Sequence, residues 1–288
     1  MIACRYRFAL ALLAAGAAGP SANHAAAQTM RAFTASRAVG RERQLHATLD
    51  FGAGTVRLAP ASAGQLYRMQ LRYDAERYAP VQQYEPRNGI LRLGLESVGK
   101  GGMRVSSRDQ LAQSADVAFS ASVPLALTAN LGASEAQLDL GGLTLTEFAL
   151  RSGATRGTVD FSAPTRGTCR SATLSVGATE ITVLHLANAA CGEVRIDGGV
   201  GRASLDFSGQ WRRNARVVID LAMGSITLRI PRGTGVRLMA ERFLSRIDAD
   251  GLEKQGNIWT TPGFDGAPRQ IDVELKTAMA GVNIEWIE

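Results

Sequence analysis

The chain has 288 residues, a formal charge of +6, and only 6% aromatic residues against 31 glycines. That length supports a substantial core, but one filled by aliphatic side chains between many tight corners. No basic run or aromatic–basic cluster accompanies the charge, so the positive balance reads as a solvated surface and excludes a nucleic-acid partner.

Residues 1–27 read as a signal peptide. Arg5 and Arg7 precede an apolar run from Phe8 to about Ala18, and Ala25-Ala26-Ala27 supplies small residues for cleavage. The run is too short to span a bilayer. Cys4 lies before it, so it is not the acylated cysteine of a lipoprotein. Cleavage after Ala27 removes both arginines and leaves residues 28–288 at +4. No later stretch approaches bilayer length, so the mature chain is expected to lack a transmembrane segment. It is expected to be exported, to the periplasm or beyond.

Residues 28–116 are expected to hold N-terminal strands and a loop. Residues 28–60 give a strand entry and a first rung. Gly64 to Glu96 alternates as three strands with a turn at Pro86–Gly89. Ser97 to Asp116 is polar and glycine-rich, the composition of a loop. Regular rungs occupy 117–232. An irregular rung, a turn-rich excursion over Gly256–Gln270 and closing strands complete residues 233–288, with no linker anywhere.

The regular part is a repeat. Glycine or alanine corners recur at Gly52, Gly132, Gly153, Gly177, Gly199, Ala222 and Ala278, and from Gly132 to Ala222 the steps are 21, 24, 22 and 23 residues. Three positions before each corner stand Leu49, Ala129, Leu150, Leu174, Ile196, Ile219 and Leu275. Six after stand Leu58, Leu138, Val159, Val183, Leu205, Leu228 and Ile284. Five after, the residues are polar: Gln137, Thr158, Thr182, Ser204, Thr227 and Asn283. Apolar and polar residues alternating by two are strand periodicity. Hairpins would reverse phase at each turn, whereas each unit here restarts in phase. The pattern therefore favours an all-β, single-stranded β-helix, a β-solenoid of ~22-residue rungs. An antiparallel sandwich is the competing reading.

Cys169 and Cys191 each precede their own corner by eight residues, so in a solenoid they share one column of adjacent rungs. Strands ~4.8 Å apart suit the ~4.4–6.8 Å Cα separation of a disulfide, which an oxidising compartment allows.

Two stretches, Leu66 to Glu96 and Ile219 to Trp286, resemble the bacterial toast-rack, putative-adhesin and LiaF-like C-terminal domain family. The markers are Ile230-Pro231 after a strand, the excursion within Gly251–Pro268, and a closing strand ending in an aromatic. The resemblance implies a right-handed β-helix outside the cytoplasm, in adhesion or envelope-stress sensing. It implies no catalytic residue. LiaF-like members carry transmembrane helices before this domain, where this chain has a cleavable-looking leader.

Candidate chemistry is sparse. His46 and His185 form no metal motif, and no cofactor, metal or catalytic elbow is indicated. His185 falls in an otherwise apolar column with Leu140, Phe161, Phe207 and Ile230, where it reads as a satisfied histidine at the core edge. Asp139, Asp160 and Asp206 share the column seven after the corner. Stacked like this they could hold calcium or work as an acid/base pair on polysaccharide, or simply be solvated, as Asp197 and Asp220 would be. The column Thr158, Thr182, Ser204 and Thr227 is either an ordinary solvent face or a flat hydroxyl platform for a glycan, and Trp211, beside Arg212 and Arg213, is either a stacking surface or folded back over its corner. The indicated function is a non-enzymatic exported binding or structural module, in adhesion or envelope-stress response, whose partner is an envelope protein or a glycan. The alternative is a polysaccharide-active β-helix enzyme using the stacked carboxylates.

Overall fold

A computed structural model describes residues 29–98, 113–242 and 244–288. The leader and most of the 97–116 loop fall outside these residues. The strands are β1 Met30–Ala38, β2 Leu45–Pro60, β3 Gln65–Asp74, β4 Tyr78–Glu85, β5 Ile90–Ser97, β6 Ser114–Phe119, β7 Leu125–Asp139 and β8 Leu145–Asp160. They continue as β9 Cys169–Leu184, β10 Cys191–Asp206, β11 Ala215–Pro231, β12 Gly235–Arg242, β13 Arg246–Asp248, β14 Glu253–Gln255, β15 Ile258–Thr260 and β16 Gln270–Ile287. Ser114 to Asp116 thus belong to a strand rather than to the loop expected there. They pair with Thr55 to Arg57 of β2, which extends the strand to them.

One sheet holds all sixteen strands, and its centre runs β2-β7-β8-β9-β10-β11-β16 with every neighbour parallel. The connections dictate the shape of that centre. β7 ends at Asp139 and its parallel neighbour β8 begins at Leu145, beside the start of β7. A straight strand of 15 residues would span roughly 50 Å. The few residues between the strands reach no more than about 20 Å. Each long strand must therefore bend back on itself, and it does so at the glycine corner.

The bend changes which residues face inward. In β7, Leu125, Leu127, Ala129 and Leu131 are buried before the corner, and Ser134, Ala136 and Leu138 after it. Both arms therefore turn a face to a common core. The columns found in the sequence are vertical neighbours: Ala129 pairs with Leu150, Leu150 with Leu174, Leu174 with Ile196, and Ile196 with Ile219. The small corner residues have a contact reason. A Cβ on Gly132 would sit 2.0 Å from the carbonyl oxygen of Gly52 on the preceding coil, and one on Gly177 would sit 2.4 Å from that of Gly153.

The first inward position after the corner is not apolar in the middle coils. Ser134, Thr155 and Thr179 are buried there. Ser134 Oγ lies 3.3 Å from Thr155 Oγ1, and Thr179 Oγ1 donates to the Thr155 carbonyl at 3.1 Å. This internal hydroxyl column escapes an apolar-periodicity reading because its members look like solvent-facing residues.

Two features depart from the sequence expectation. The last strand, β16, lies between β11 and β12, so the irregular rung that follows β11 in the chain stacks outside the closing strand. β16 pairs along its whole length with β11, whereas β12 and β13 each cover one arm of it. At the other end β5 and β6 cover the two arms of β2 in the same way. Both ends of the coil are thus closed by a split rung, and antiparallel strands (β1-β3-β6 and β12-β15-β14) finish the sheet.

The second departure is at His185, which is satisfied at the core edge by Asp160 as expected but does not hold the inward position of its column. It adopts the left-handed region (φ 52°), which turns its ring outward, and buried Leu186 fills the core in its place. Leu186–Ala189 then form a short 3-10 helix leading to Cys191. Cys169 and Cys191 are paired residues on β9 and β10, joined by a disulfide across a Cα separation of 4.2 Å.

Candidate functional site: a polar ladder on the second arm

The second arms of the coils present one polar column to solvent. Arg57, Gln137, Thr158, Thr182, Ser204, Thr227 and Asn283 pair in unbroken register across seven strands, so their side chains repeat at roughly the 4.8 Å strand spacing. Alternation puts them outward because Leu138, Val159, Val183, Leu205 and Leu228, one residue on, are buried. Among the described residues, the hydroxyls of Thr158, Thr182, Ser204 and Thr227 make no hydrogen bond within the chain.

Two residues nearer the corner runs a second column, which the sequence reading passed over. Glu135, Arg156, Glu180 and Arg202 are register neighbours with alternating sign. Arg156 Nε lies 3.1 Å from Glu180 Oε2, and Arg202 Nη2 lies 3.6 Å from Glu180 Oε1. These exposed pairs contribute little to stability, at most about 1 kcal/mol each, but they hold long side chains upright beside the hydroxyls. Between the columns lies an open groove of about 370 Å³, lined by Arg57, Gln137, Thr158 and Thr182 together with Glu135, Arg156 and Glu180. Ser204 and Thr227 continue the ladder beyond it. The signal for the charged column was present in the sequence, three residues after each corner.

The three aspartates sit elsewhere, at the ends of the second arms. Asp139 and Asp160 are register partners, yet each carboxylate is engaged locally. Asp139 Oδ1 accepts from the Gly141 N–H at 2.9 Å and from Ser162 Oγ at 2.7 Å. Asp160 Oδ1 lies 2.7 Å from His185 Nδ1. Asp206 accepts from the Ser208 N–H at 2.8 Å and from Arg229 at 3.2 Å. The Asp139 and Asp206 bonds are Asx turns that start the connections after β7 and β10. No group of three His, Cys, Asp or Glu residues among the described residues is placed to hold a metal ion.

Trp211 is half-buried and folds back over the corner of its loop. Its Nε1–H donates to the Phe207 carbonyl at 3.0 Å, and its ring tilts against that of Phe207. Arg212 donates to the Thr165 carbonyl, and Arg213 to that of Cys169 at 3.2 Å. The structure therefore separates Trp211 from the hydroxyl column.

Among solved structures, the chain is similar to one described as a putative cell adhesion protein from Clostridium sporogenes, at 19% identity, 89% coverage of this chain, 100% of that one and a TM-score of 0.47. It is also similar to one described as a putative adhesin from Bacteroides fragilis, at 10% identity, 88% and 97% coverage and a TM-score of 0.36. No curated protein matches. At the sequence level, residues 27–183 match the N-terminal domain of toast-rack, DUF2154. That match covers more than half of the sequence, in the part whose corners and columns are described above; the chain belongs to the toast-rack family.

Proposed function

We propose that this protein is an exported, non-enzymatic binding or structural module of the cell envelope, serving in adhesion or envelope-stress response. Its fold on this reading is a right-handed β-helix of about 22 residues per coil, the hand that parallel crossovers overwhelmingly take. Export is supported by the leader-like residues 1–27 and by the Cys169–Cys191 disulfide, which fits an oxidising compartment. The observation that carries the reading is a contrast in side-chain use. The aspartates that chemistry would need are spent on turns, on the His185 ring and on the Arg229 ion pair, while the hydroxyls of the ladder have no partner in the chain among the described residues.

A flat, regular row of free hydroxyls, flanked by the Gln137 and Asn283 amides, suits a partner that is itself regular and polar: a glycan strand or an extended segment of an envelope protein. Solenoids bind along such extended faces. The test is a glycan panel and a pull-down from envelope extract with the exported chain as bait. Replacing Thr158, Thr182, Ser204 and Thr227 together by alanine should weaken the interaction about tenfold or more. Asp160→Asn should leave it, and any glycan turnover, unchanged. A ligand that ignores the fourfold variant refutes the ladder, and hydrolysis or elimination lost in Asp160→Asn refutes the non-enzymatic reading.

A further inference from the structure

The corner of the coil carries a second exposed column. The residue immediately after each corner is Ala133, Ala154, Ala178, Val200, Met223 and Met279, in continuous register from β7 to β16. The large members are open to solvent: Val200 is 48% exposed, Met223 39% and Met279 50%. Leu244, 73% exposed, continues the large end; it stands level with Met279, two residues from each of the paired positions Arg242–Thr277 and Arg246–Gly281. The strip is about 24 Å long from Ala133 to Met279 and grades from small to large side chains. Beside it lies a trough floored by the corner glycines, in two open stretches of about 560 and 450 Å³.

The polar wall of that trough, two residues before each corner, is Asp50, Asn130, Arg151, Ser175, Asp197, Asp220 and Lys276. Most of its charges are matched within the chain. Asp50 pairs with Arg92, Asp197 with Arg195, and Lys276 with Glu241. Arg151 and Asp220 have no ion pair among the described residues, and both are exposed. They stand three coils apart, equally far from the boundary between β9 and β10.

The small-to-large gradient has the same midpoint. A two-fold axis through the boundary between β9 and β10, perpendicular to the ridge, sets Ala178 opposite Val200, Ala154 opposite Met223 and Ala133 opposite Met279. It also sets Arg151 of each copy opposite Asp220 of the other. Every wide step then meets a narrow one, and the two unmatched charges neutralise each other twice. A parallel arrangement would instead bring Arg151 toward Arg156 of the other copy. We infer that the corner ridge is a self-association surface, on which two copies of this chain pack antiparallel about that axis. The operation leaves both polar ladders on one side of the dimer, so a bound polymer would meet two ladders rather than one. The strip is narrower than the ~800 Å² per partner of a standard interface, so the dimer should dissociate in the micromolar-to-millimolar range.

The test uses the exported chain, in which both native cysteines are already bonded. Ala178→Cys mixed with Val200→Cys should form a disulfide-linked dimer about tenfold faster than either variant alone. In sedimentation velocity, Arg151→Glu or Asp220→Arg alone should weaken dimerisation about tenfold, and the double variant should restore it. Intrachain repair is excluded, since these residues lie roughly 14 Å apart along the ridge. Val200→Cys linking to itself as fast as the mixture would overturn the antiparallel register. A native chain that stays monomeric at ~1 mM would overturn self-association, as would capture of a glycan or a foreign protein by the ridge of a monomer.

Discussion

The corner column offers a test graded by the structure itself. Gly132, Gly177, Gly199 and Gly153 occupy the same place on successive coils, and none has a left-handed φ that alanine would resist. They differ in clearance: an added Cβ would lie 2.0, 2.4, 2.9 and 3.5 Å from the nearest carbonyl oxygen of the coil before. Ordinary contact begins near 3.4 Å, so Gly153→Ala needs no movement. Gly132→Ala must push two coils apart by more than 1 Å where ladder hydrogen bonds hold them at a fixed spacing. Overpacking of that kind costs about 1–3 kcal/mol. Gly153→Ala should instead stabilise by about 0.4–1 kcal/mol, because alanine restricts the unfolded chain. The two variants should differ by roughly 1.4–4 kcal/mol, or about 3–16 °C in Tm at the 2–4 °C per kcal/mol expected for a chain of this size. Thermal unfolding followed by circular dichroism would read the series, with Tm rising in the order Gly132→Ala, Gly177→Ala, Gly199→Ala, Gly153→Ala. Equal effects at all four sites, or Gly153→Ala the worst, would refute the contact account of the corner.

The disulfide closes a loop with a sequence separation of 22, so reduction should cost about 3 kcal/mol in the chain-entropy account, roughly 6–12 °C in Tm. A Cys169→Ala/Cys191→Ala variant should be insensitive to reductant, and a native chain equally insensitive would show the sulfurs unpaired. At the N-terminal end, Tyr84 donates to Glu42 Oε1 at 2.8 Å under the Arg37 guanidinium. Burial and this hydrogen bond raise the Tyr84 pKa to about 12. Burial alone would push Glu42 up, but the bonds from Tyr84 and the backbone N–H groups of Glu42 and Gly40, with Arg37 nearby, bring it below the usual carboxylate range. Tyr84's contribution is therefore full below about pH 10 and lost as pH rises through about 12. That of Glu42 is present above the carboxylate range and lost as pH falls through its lowered value. A spectrophotometric titration of the native chain minus that of Tyr84→Phe should show a single phenol near pH 12; one titrating near 10 would break the pairing.

What could be read from the sequence follows from how a coil is specified. Columns such as Leu174–Ile196–Ile219 and the Cys169–Cys191 pairing were legible because both the inward period and the repeat are written along the chain, and strand stacking converts sequence phase into vertical contact. The place of β16 between β11 and β12 was not, because the two neighbours of β16 carry similar alternation and only their lengths distinguish a full coil from a split one. His185 is legible as a satisfied histidine at the core edge, but its exchange with Leu186 in the core is not, because a single backbone flip at φ 52° leaves no periodic trace. Trp211 allows two readings from sequence alone, and the structure takes the folded-back one: a loop side chain can satisfy itself on its own corner, as its bond to Phe207 does. The same physics explains why function is harder to read here than fold. Column identity fixes which residues share a face, but whether a carboxylate is available depends on the local turn that claims it. Asp139 and Asp160 share a column, yet the Gly141 N–H, Ser162 and His185 draw them into three separate bonds. Among the described residues, side chains with no turn to serve stay free in mid-arm at Thr158, Thr182, Ser204 and Thr227 and on the trough wall beside the ridge at Arg151 and Asp220. Those are where a partner can be recognised without dismantling a coil.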